Sequence, residues 1–256
     1  MAIPKTQIAL QLYTLRDFMK TPADMADTFK KIKKIGYEAV QFSGAGPIEP
    51  AHLKELLQEN GLHCCAMHEG MDGLQNNLPA IIAKMKTVGC DFTALGSAPA
   101  EYRTQEGLPK LITVLNEIGK KFAAEKIRFG YHNHKFEFEL VGKKTVLREI
   151  FDSTNAKYVA AELDTFWVQY GGADPMEWIR SVKGRIPVAH IKDFTIKNDQ
   201  VVMAEIGEGN LNWKGIFKAL KEAKCRWYCV EQDTCQRPPF ESIEISYRNL
   251  KKMGIK

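Results

Sequence analysis

Apolar and polar positions alternate along the chain in two rhythms. Thr21-Pro22 sets a capping residue before a proline, and Met25, Phe29 and Ile32 then recur at helical spacing, with lysines on the other face and Gly36 as the stop. A short apolar run, Tyr37 to Ser43, follows and predicts a strand. Glu49-Pro50 opens a second helix with Leu53, Leu56 and Leu57 on one face, ended by Gly61. Leu62 to His68 predicts a strand, and Leu78, Ile81, Ile82 and Met85 a helix closed by Gly89. The same alternation continues. Strands are predicted at Phe92–Leu95, Ile127–Tyr131, Tyr158–Trp167, Ile186–Ile191 and Trp227–Gln232. Helices are predicted at Leu108–Lys126, Val146–Ser153, Asp174–Val182, Trp213–Ala223 and Phe240–Met253. With an opening strand before Tyr13, the pattern predicts eight strands alternating with eight helices.

Such alternation means parallel β-α-β units. Eight units of roughly 25–40 residues predict an α/β protein built as a single (β/α)8 TIM barrel. An open doubly wound sheet is the rival, but the first strand runs into Tyr13-Thr14-Leu15-Arg16-Asp17 and not into a glycine-rich phosphate loop. No linker-like stretch divides the chain, so residues 1–256 are expected to form one catalytic domain.

Composition removes several classes. Of 256 residues, 45% are hydrophobic and 26% charged, which is ordinary for a globular protein and unlike a disordered or collagenous one. No apolar run approaches the ~18 residues of a membrane span. The net charge of +5 mildly favours an anionic ligand and is too small for a nucleic-acid footprint. Neither nucleic acid nor membrane is therefore expected as a partner, and a homo-oligomer is left open. Six cysteines without a C-x-x-C pair do not make a disulfide framework; Cys225, Cys229 and Cys235 read as buried thiols or, less simply, a zinc cluster. The thiols suit a reducing compartment, and no signal peptide is visible, so the expected location is cytoplasmic.

In a barrel of this kind, chemistry sits at the carboxyl ends of the strands. Those ends carry Gln11 and Tyr13, Gln41 and Ser43, His68 and Glu69, His132, Asn133 and His134, Glu162, Asp164 and Trp167, His190, Lys192 and Asp193, and Glu231 and Asp233. Asp164, His190 and Glu231 come from three consecutive strands. An imidazole and two carboxylates converging in this way suit a divalent ion, with His132 as a fourth ligand; the alternative is an ion-pair network with His190 charged between carboxylates. Lys192 has the parity of His190 and either stabilises an oxyanion or leaving group or pairs with Asp193 at the rim. Glu162 shares the parity of Asp164 about 7 Å deeper, as a partner for a ligand or a buried layer residue. Trp167, Phe166 and Tyr13 offer faces for a sugar ring or plain packing. Gly207 and Gly209 lie in the loop after strand seven, where some barrels bind phosphate.

Five of these pieces, in order, carry a resemblance: Gln11-Leu12-Tyr13-Thr14-Leu15-Arg16-Asp17, Tyr131-His132-Asn133-His134, Glu162-Leu163-Asp164-Thr165-Phe166-Trp167, His190-Ile191-Lys192-Asp193 and Val230-Glu231. Together they resemble the sugar phosphate isomerase/epimerase family of the xylose-isomerase-like barrels, from about Ile8 to about Lys252. The resemblance implies one divalent metal ion (Mn, Co, Zn or Mg) on Asp164, His190 and Glu231, with His132 where the family usually has a glutamate. The Tyr-His-x-His variant is similar to the inosose dehydratase branch. The implied activity is metal-dependent isomerisation or epimerisation of a keto-sugar or sugar phosphate. It proceeds by proton abstraction beside a polarised carbonyl through an enediolate; the alternative is a lyase or dehydratase eliminating a β-leaving group from a keto-sugar or keto-inositol. Glu231, His134 and Lys192 are the expected catalytic residues. Gln11, Tyr13, His68 and Trp167 are expected to bind the substrate, a small sugar or sugar derivative, and Glu162 to support the ligands. A DNA-repair relative on the same barrel fits poorly, because its characteristic histidine is Trp167 here. A non-catalytic sugar-binding protein is the remaining class.

Overall fold

A computed structural model describes residues 3–256. Eight parallel strands close into a barrel: β1 (Ile8–Gln11), β2 (Ala39–Phe42), β3 (His63–Glu69), β4 (Phe92–Leu95), β5 (Arg128–His132), β6 (Val159–Asp164), β7 (Val188–Ile191) and β8 (Trp227–Val230). β1 pairs with both β2 and β8, which completes the ring. Among the described residues ten α-helices accompany them: α1 (Pro22–Ile35), α2 (Pro50–Glu59), α3 (Met71–Asn76), α4 (Leu78–Val88), α5 (Leu108–Ala124), α6 (Val146–Ser153), α7 (Thr165–Tyr170), α8 (Pro175–Ser181), α9 (Trp213–Glu222) and α10 (Pro239–Lys252). The expected barrel is therefore the observed one. Among the described residues, no helix is long and apolar enough to cross a membrane.

Local chemistry explains most element ends. Thr21 and Asp24 form a reciprocal capping box at the start of α1. Gly89 ends α4 in the left-handed conformation that glycine adopts without strain. Two short helices were not legible. α3 fills the β3–α4 connection. α7 replaces the expected strand ending at Trp167, because the Asp164 side chain accepts the Trp167 N–H at 3.0 Å and turns the chain into a helix. After β7 the chain makes a hairpin, Asp193–Lys197 with Gln200–Ala204, that the apolar pattern did not signal.

Two apolar bodies hold the barrel. Leucine, isoleucine and phenylalanine side chains from strands and helices fill the space outside the barrel wall. Inside it, Ala9, Ala39, Cys65, Ala66, Phe92, Ala94, Val188, Trp227 and Cys229 make a plug of mostly small residues. Strand parity then lifts polar groups above the plug: Val188 leads to His190 and Lys192, and Cys229 leads to Glu231 and Asp233. Pairing of Asp164 with His190, and of His132 with Glu162, brings those residues to neighbouring heights on adjacent strands. Cys64, Cys65, Cys90, Cys225 and Cys229 are free, buried thiols, and no cysteine belongs to a cluster able to hold a metal ion among the described residues.

Candidate active site

His190 is the centre of the polar layer. It is fully buried, its Nδ1 lies 2.6 Å from Glu231 Oε2, and its Nε2 lies 2.8 Å from Gln41 Oε1. Gln41 passes the contact on by donating from Nε2 to Glu162 Oε1 at 2.9 Å. Glu162 also meets His68 Nε2 at 2.5 Å and His132 Nδ1 at 3.5 Å. Burial works against a charged His190 ring, but the carboxylates of Glu162 and Glu231 override it and push its pKa up to about 10. Burial would raise the Glu162 carboxyl, yet His68 and His190 hold it down at about 2. His132 is buried with a histidine charge beside it, and both effects lower its pKa, leaving a neutral ring.

A second charge centre stands beside this one. Lys192 Nζ is buried, 3.0 Å from Asp164 Oδ2, 2.9 Å from Glu231 Oε2 and 2.9 Å from Asp233 Oδ2. Burial disfavours its charge, but the three carboxylates outweigh that and raise the ammonium well above its ordinary range. Against burial, Lys192 and His190 hold Glu231 well below the usual carboxylate range. Burial raises Asp164 to about 6 in spite of Lys192. Thr165 pins the Lys192 backbone, with Oγ1 both accepting from its N–H and donating to its C=O at 3.1 Å. Lys192 does not pair with Asp193, the rim alternative raised from sequence.

Asp193 has a different task. Its carboxylate accepts from the N–H groups of Gly207, Gly209 and Leu211 and from the Trp213 indole. A Cβ on Gly209 would lie 2.2 Å from Asp193 Oδ1, so glycine is required for this approach. The amides of the Gly207–Gly209 loop already serve a built-in anion, which removes the suggestion of a phosphate site there.

The polar layer opens into a cavity of about 420 Å³ lined by Tyr13, Ser43, His68, Glu69, His132, His134, Lys192, Glu231 and Asp233, among others. His134 is partly buried, and burial together with the Lys192 charge lowers it to about 4, so it is an unprotonated imidazole at neutral pH. Its loop is held by Glu137, which accepts the His134 N–H and the Tyr131 hydroxyl, each at 2.8 Å. Two expected substrate contacts lie elsewhere. Gln11 is buried with its Oε1 accepting the Tyr13 N–H at 3.2 Å, and it does not line the cavity. Trp167 lines a neighbouring hollow. Sequence reasoning gave no role to Gln41, Asp233 or Glu137. The first two share the inward parity of named residues, whereas Glu137 sits in a single helical turn that carries no such signal.

The ligand-type atoms fall into two groups that share His190: Asp164, His190 and Glu231, and His68, His132, Glu162 and His190. Within each, the atoms lie within 4.8 Å of one another. His132 thus offers its nitrogen beside Glu162 and not beside Asp164. His132 Nδ1 is buried without a hydrogen-bond partner, and Asp164 Oδ2 is met by the Lys192 ammonium instead of a hydrogen-bonding neighbour on its own strand. An unpartnered imidazole nitrogen among carboxylate and imidazole donors fits a divalent cation of the Mn, Co or Zn kind.

Comparison with known proteins agrees with this architecture. Residues 29–253 match the family model described as xylose isomerase-like TIM barrel. An inosose dehydratase from Clostridium botulinum is 26% identical over 147 residues, covering 50% of this chain and 48% of that relative, so the match spans about half of its length. A sugar phosphate isomerase/epimerase structure from Parabacteroides distasonis superposes with a TM-score of 0.82 at 22% identity, covering 98% of this chain and all of the other. A structure of a protein called IOLI, with a zinc atom bound, gives a TM-score of 0.71 at 15% identity over 96% of this chain and 97% of its own. At such identities the structural matches establish the fold alone.

Proposed function

The chain belongs to the xylose isomerase-like TIM barrel family, and from that premise we propose that it is a metal-dependent enzyme that removes a proton beside the carbonyl of a keto-sugar or sugar phosphate and completes an isomerisation or epimerisation. One observation carries the reading: Glu231, an ionised carboxylate, and His134, a neutral imidazole, line one cavity together with the Lys192 ammonium. Asp164, His190 and Glu231 would hold the ion, with His132 the fourth candidate next to His190. A divalent ion held by these residues would supply polarisation of the substrate carbonyl and so acidify the neighbouring C–H. Glu231 takes the proton. His190 and Lys192, each within 3 Å of its carboxylate, set its charge and aim. Lys192 offsets negative charge that develops on the substrate oxygen. The Glu231 carboxyl returns that proton to the neighbouring carbon, while the neutral His134 ring passes the hydroxyl proton from one substrate oxygen to the other. Tyr13 and His68 contact the sugar, and Glu162 orients His190 through Gln41 and holds His68.

A second reading is elimination of a β-leaving group. Histidine at the end of β5, where the resemblance leads one to expect a second glutamate, favours it, because the second carboxylate of a two-base epimerisation is missing while the Lys192 ammonium is at hand to protonate a leaving oxygen. The partial match to an inosose dehydratase supports the same reading. The test is a keto-sugar and sugar-phosphate screen in deuterated water with Mn²⁺, Co²⁺ or Zn²⁺ present. Glu231→Gln is expected to abolish solvent exchange at the substrate α-carbon. His134→Asn is expected to retain metal affinity within a few-fold while losing product. Asp164→Asn should weaken metal binding strongly. Exchange at the wild-type rate in metal-loaded Glu231→Gln would refute the assignment of the base; conservation of substrate mass separates isomerisation from elimination.

A further inference from the structure

Beside the catalytic cavity lies a second hollow of about 290 Å³ that the proposed proton transfer does not use. Its walls are Phe166, Trp167 and Tyr170 from α7 and Val201, Val202 and Met203 from the hairpin after β7; Lys135, Thr234 and Gln236 stand at its edge. The aromatic wall is organised edge to face: Phe166 lies 4.5 Å from Trp167 between centroids at an interplanar angle of 64°, and Trp167 lies 5.8 Å from Tyr170 at 81°. Tyr170 and Val201 are 44% and 39% exposed, so the apolar faces are not spent on the protein's own core.

The hollow adjoins the cavity. His134 and Asp233 line the cavity, and their chain neighbours Lys135 and Thr234 line the hollow. Trp167 stands between the two, with its ring 5.7 Å from the His134 ring and 5.8 Å from Lys192 Nζ. Its indole N–H is buried without an acceptor. The Asp233 N–H meets the Met203 sulfur at 3.1 Å, which fastens the hairpin to the end of β8. A substrate whose reacting carbon sits between Glu231 and His134 therefore has, within one ring's length, an apolar slot with aromatic walls.

From this adjacency we infer that the hollow is a subsite for an aromatic substituent of the sugar, and that the substrates are aryl glycosides of a keto-sugar and not free sugars. The inference deepens the keto-sugar reading above and rests on it. Simple sugars and sugar phosphates offer nothing apolar to fill a slot of this size. A phenolic ring has two faces for Trp167 and Tyr170 and an edge for Val201 and Met203. In the elimination reading the same ring departs as the leaving group from a sugar that already carries a ketone: the C–H bond beside the carbonyl breaks to Glu231, the new C=C forms, the C–O bond to the ring breaks with its electron pair, and the phenolate oxygen takes a proton from the Lys192 ammonium. Because the ketone is part of the substrate, no oxidant or reductant is needed.

The test uses the metal-loaded protein, labelled with ¹⁵N, and three probes: phenyl β-D-glucopyranoside, methyl β-D-glucopyranoside and phenol. The phenyl glycoside is expected to bind at least about tenfold more tightly than the methyl glycoside, with saturation transfer strongest at its ring protons and a shift of the Trp167 indole signal. Tyr170→Ala and Val201→Ser, both at exposed positions, are expected to cut that advantage to about twofold while leaving methyl glycoside binding unchanged. Phenol binding as tightly as the phenyl glycoside keeps the aromatic slot and overturns the sugar reading instead. Equal affinity for the two glycosides, an advantage untouched in both variants, or no response to any of the three probes at millimolar concentration overturns the subsite.

Discussion

Lys192→Met tests the charge logic of the site without presupposing a substrate. Methionine keeps nearly the length of the lysine stem and removes the ammonium. In the wild type that ammonium lies within 3.0 Å of Asp164, Glu231 and Asp233, and Asp164 and Glu231 are buried. Breaking a buried ion pair by deleting one partner costs about 3–5 kcal/mol, because a charge is left without compensation. At this chain length 1 kcal/mol moves the melting temperature by about 2–4 °C, so the metal-free variant is expected to melt roughly 6–20 °C below the wild type. The deficit should be larger at pH 8 than at pH 5, since protonation of an uncompensated carboxylate at low pH relieves it.

Divalent metal then acts in opposite proportion. In the wild type, Asp164 and Glu231 already have a cation, and an incoming ion must displace or share with it. In Lys192→Met both carboxylates lose that cation, Glu231 keeping only His190, and the ion restores the missing charge. Mn²⁺ at a hundred times its dissociation constant is worth about 2.7 kcal/mol to either protein, but the variant should reach that point at a metal concentration at least about tenfold lower. Calorimetric melts after chelation, followed by isothermal titration with Mn²⁺, measure both quantities, with Lys192→Arg as the charge-preserving control. A chelated Lys192→Met that melts within about 2 °C of the wild type, or that binds Mn²⁺ no more tightly, would show that the ammonium is not the counter-charge of this site.

Two further outcomes concern parts that never touch substrate. Asp193→Ala leaves the N–H groups of Gly207, Gly209 and Leu211 and the Trp213 indole without their acceptor; the indole is the buried one and water reaches the others, so at about 1–3 kcal/mol for a buried orphan donor, urea unfolding should show a loss of about 1–3 kcal/mol. Glu137 is a carboxyl that burial raises to about 7 in the folded chain, against the lowering pull of its bond to Tyr131. The folded state therefore holds its proton where the unfolded state has lost it, and the stability this gives is complete below about pH 4.5 and is lost as pH rises to 7. Glu137→Gln lacks that proton, so the stability of the wild type relative to the variant should fall by on the order of 3 kcal/mol between pH 4.5 and 7; a difference independent of pH would count against the raised carboxyl.

The barrel was legible because the first three repeats announce themselves, with a proline or apolar-faced helix, a glycine stop and then a short apolar run, and the later ones keep the same alternation of helix and strand. What escaped had no such rhythm. α3 and α7 have six residues each, too few for an apolar face to recur. The Asp193–Ala204 hairpin reads Asp-Phe-Thr-Ile-Lys and Gln-Val-Val-Met-Ala, and its turn is made by Asn198 and Asp199 in the left-handed region. Asn-Asp is a weak version of that turn signal, so the segment passed for loop. The strand expected to reach Trp167 stops at Asp164 because one side chain caps the following turn, a contact that periodicity does not encode.

The site was legible at the level of position and not of partnership. Parity of two along a strand placed His190 with Lys192, and Glu231 with the cavity, because a parallel barrel sends alternate residues to one interior. Parity says nothing about which of several inward groups meet. The sequence joined His132 to Asp164, His190 and Glu231 because it ends the next strand of the barrel, whereas packing puts its Nδ1 beside Glu162, one strand away at the same height. It offered Lys192 to Asp193, its neighbour in the chain, whereas a side chain one position along a strand points through the other face of the sheet. Asp193 was therefore free to gather the amides of the next loop, and Lys192 was bound to meet whatever the adjacent strands carried inward. Those strands carry Asp164 on one side and Glu231 and Asp233 on the other, so the trio around the ammonium follows from strand order 6-7-8 once the barrel is closed. The proposed chemistry draws on what this arrangement turns toward the cavity: the Glu231 carboxylate, held by His190 and Lys192, and the neutral His134 imidazole in the same lining.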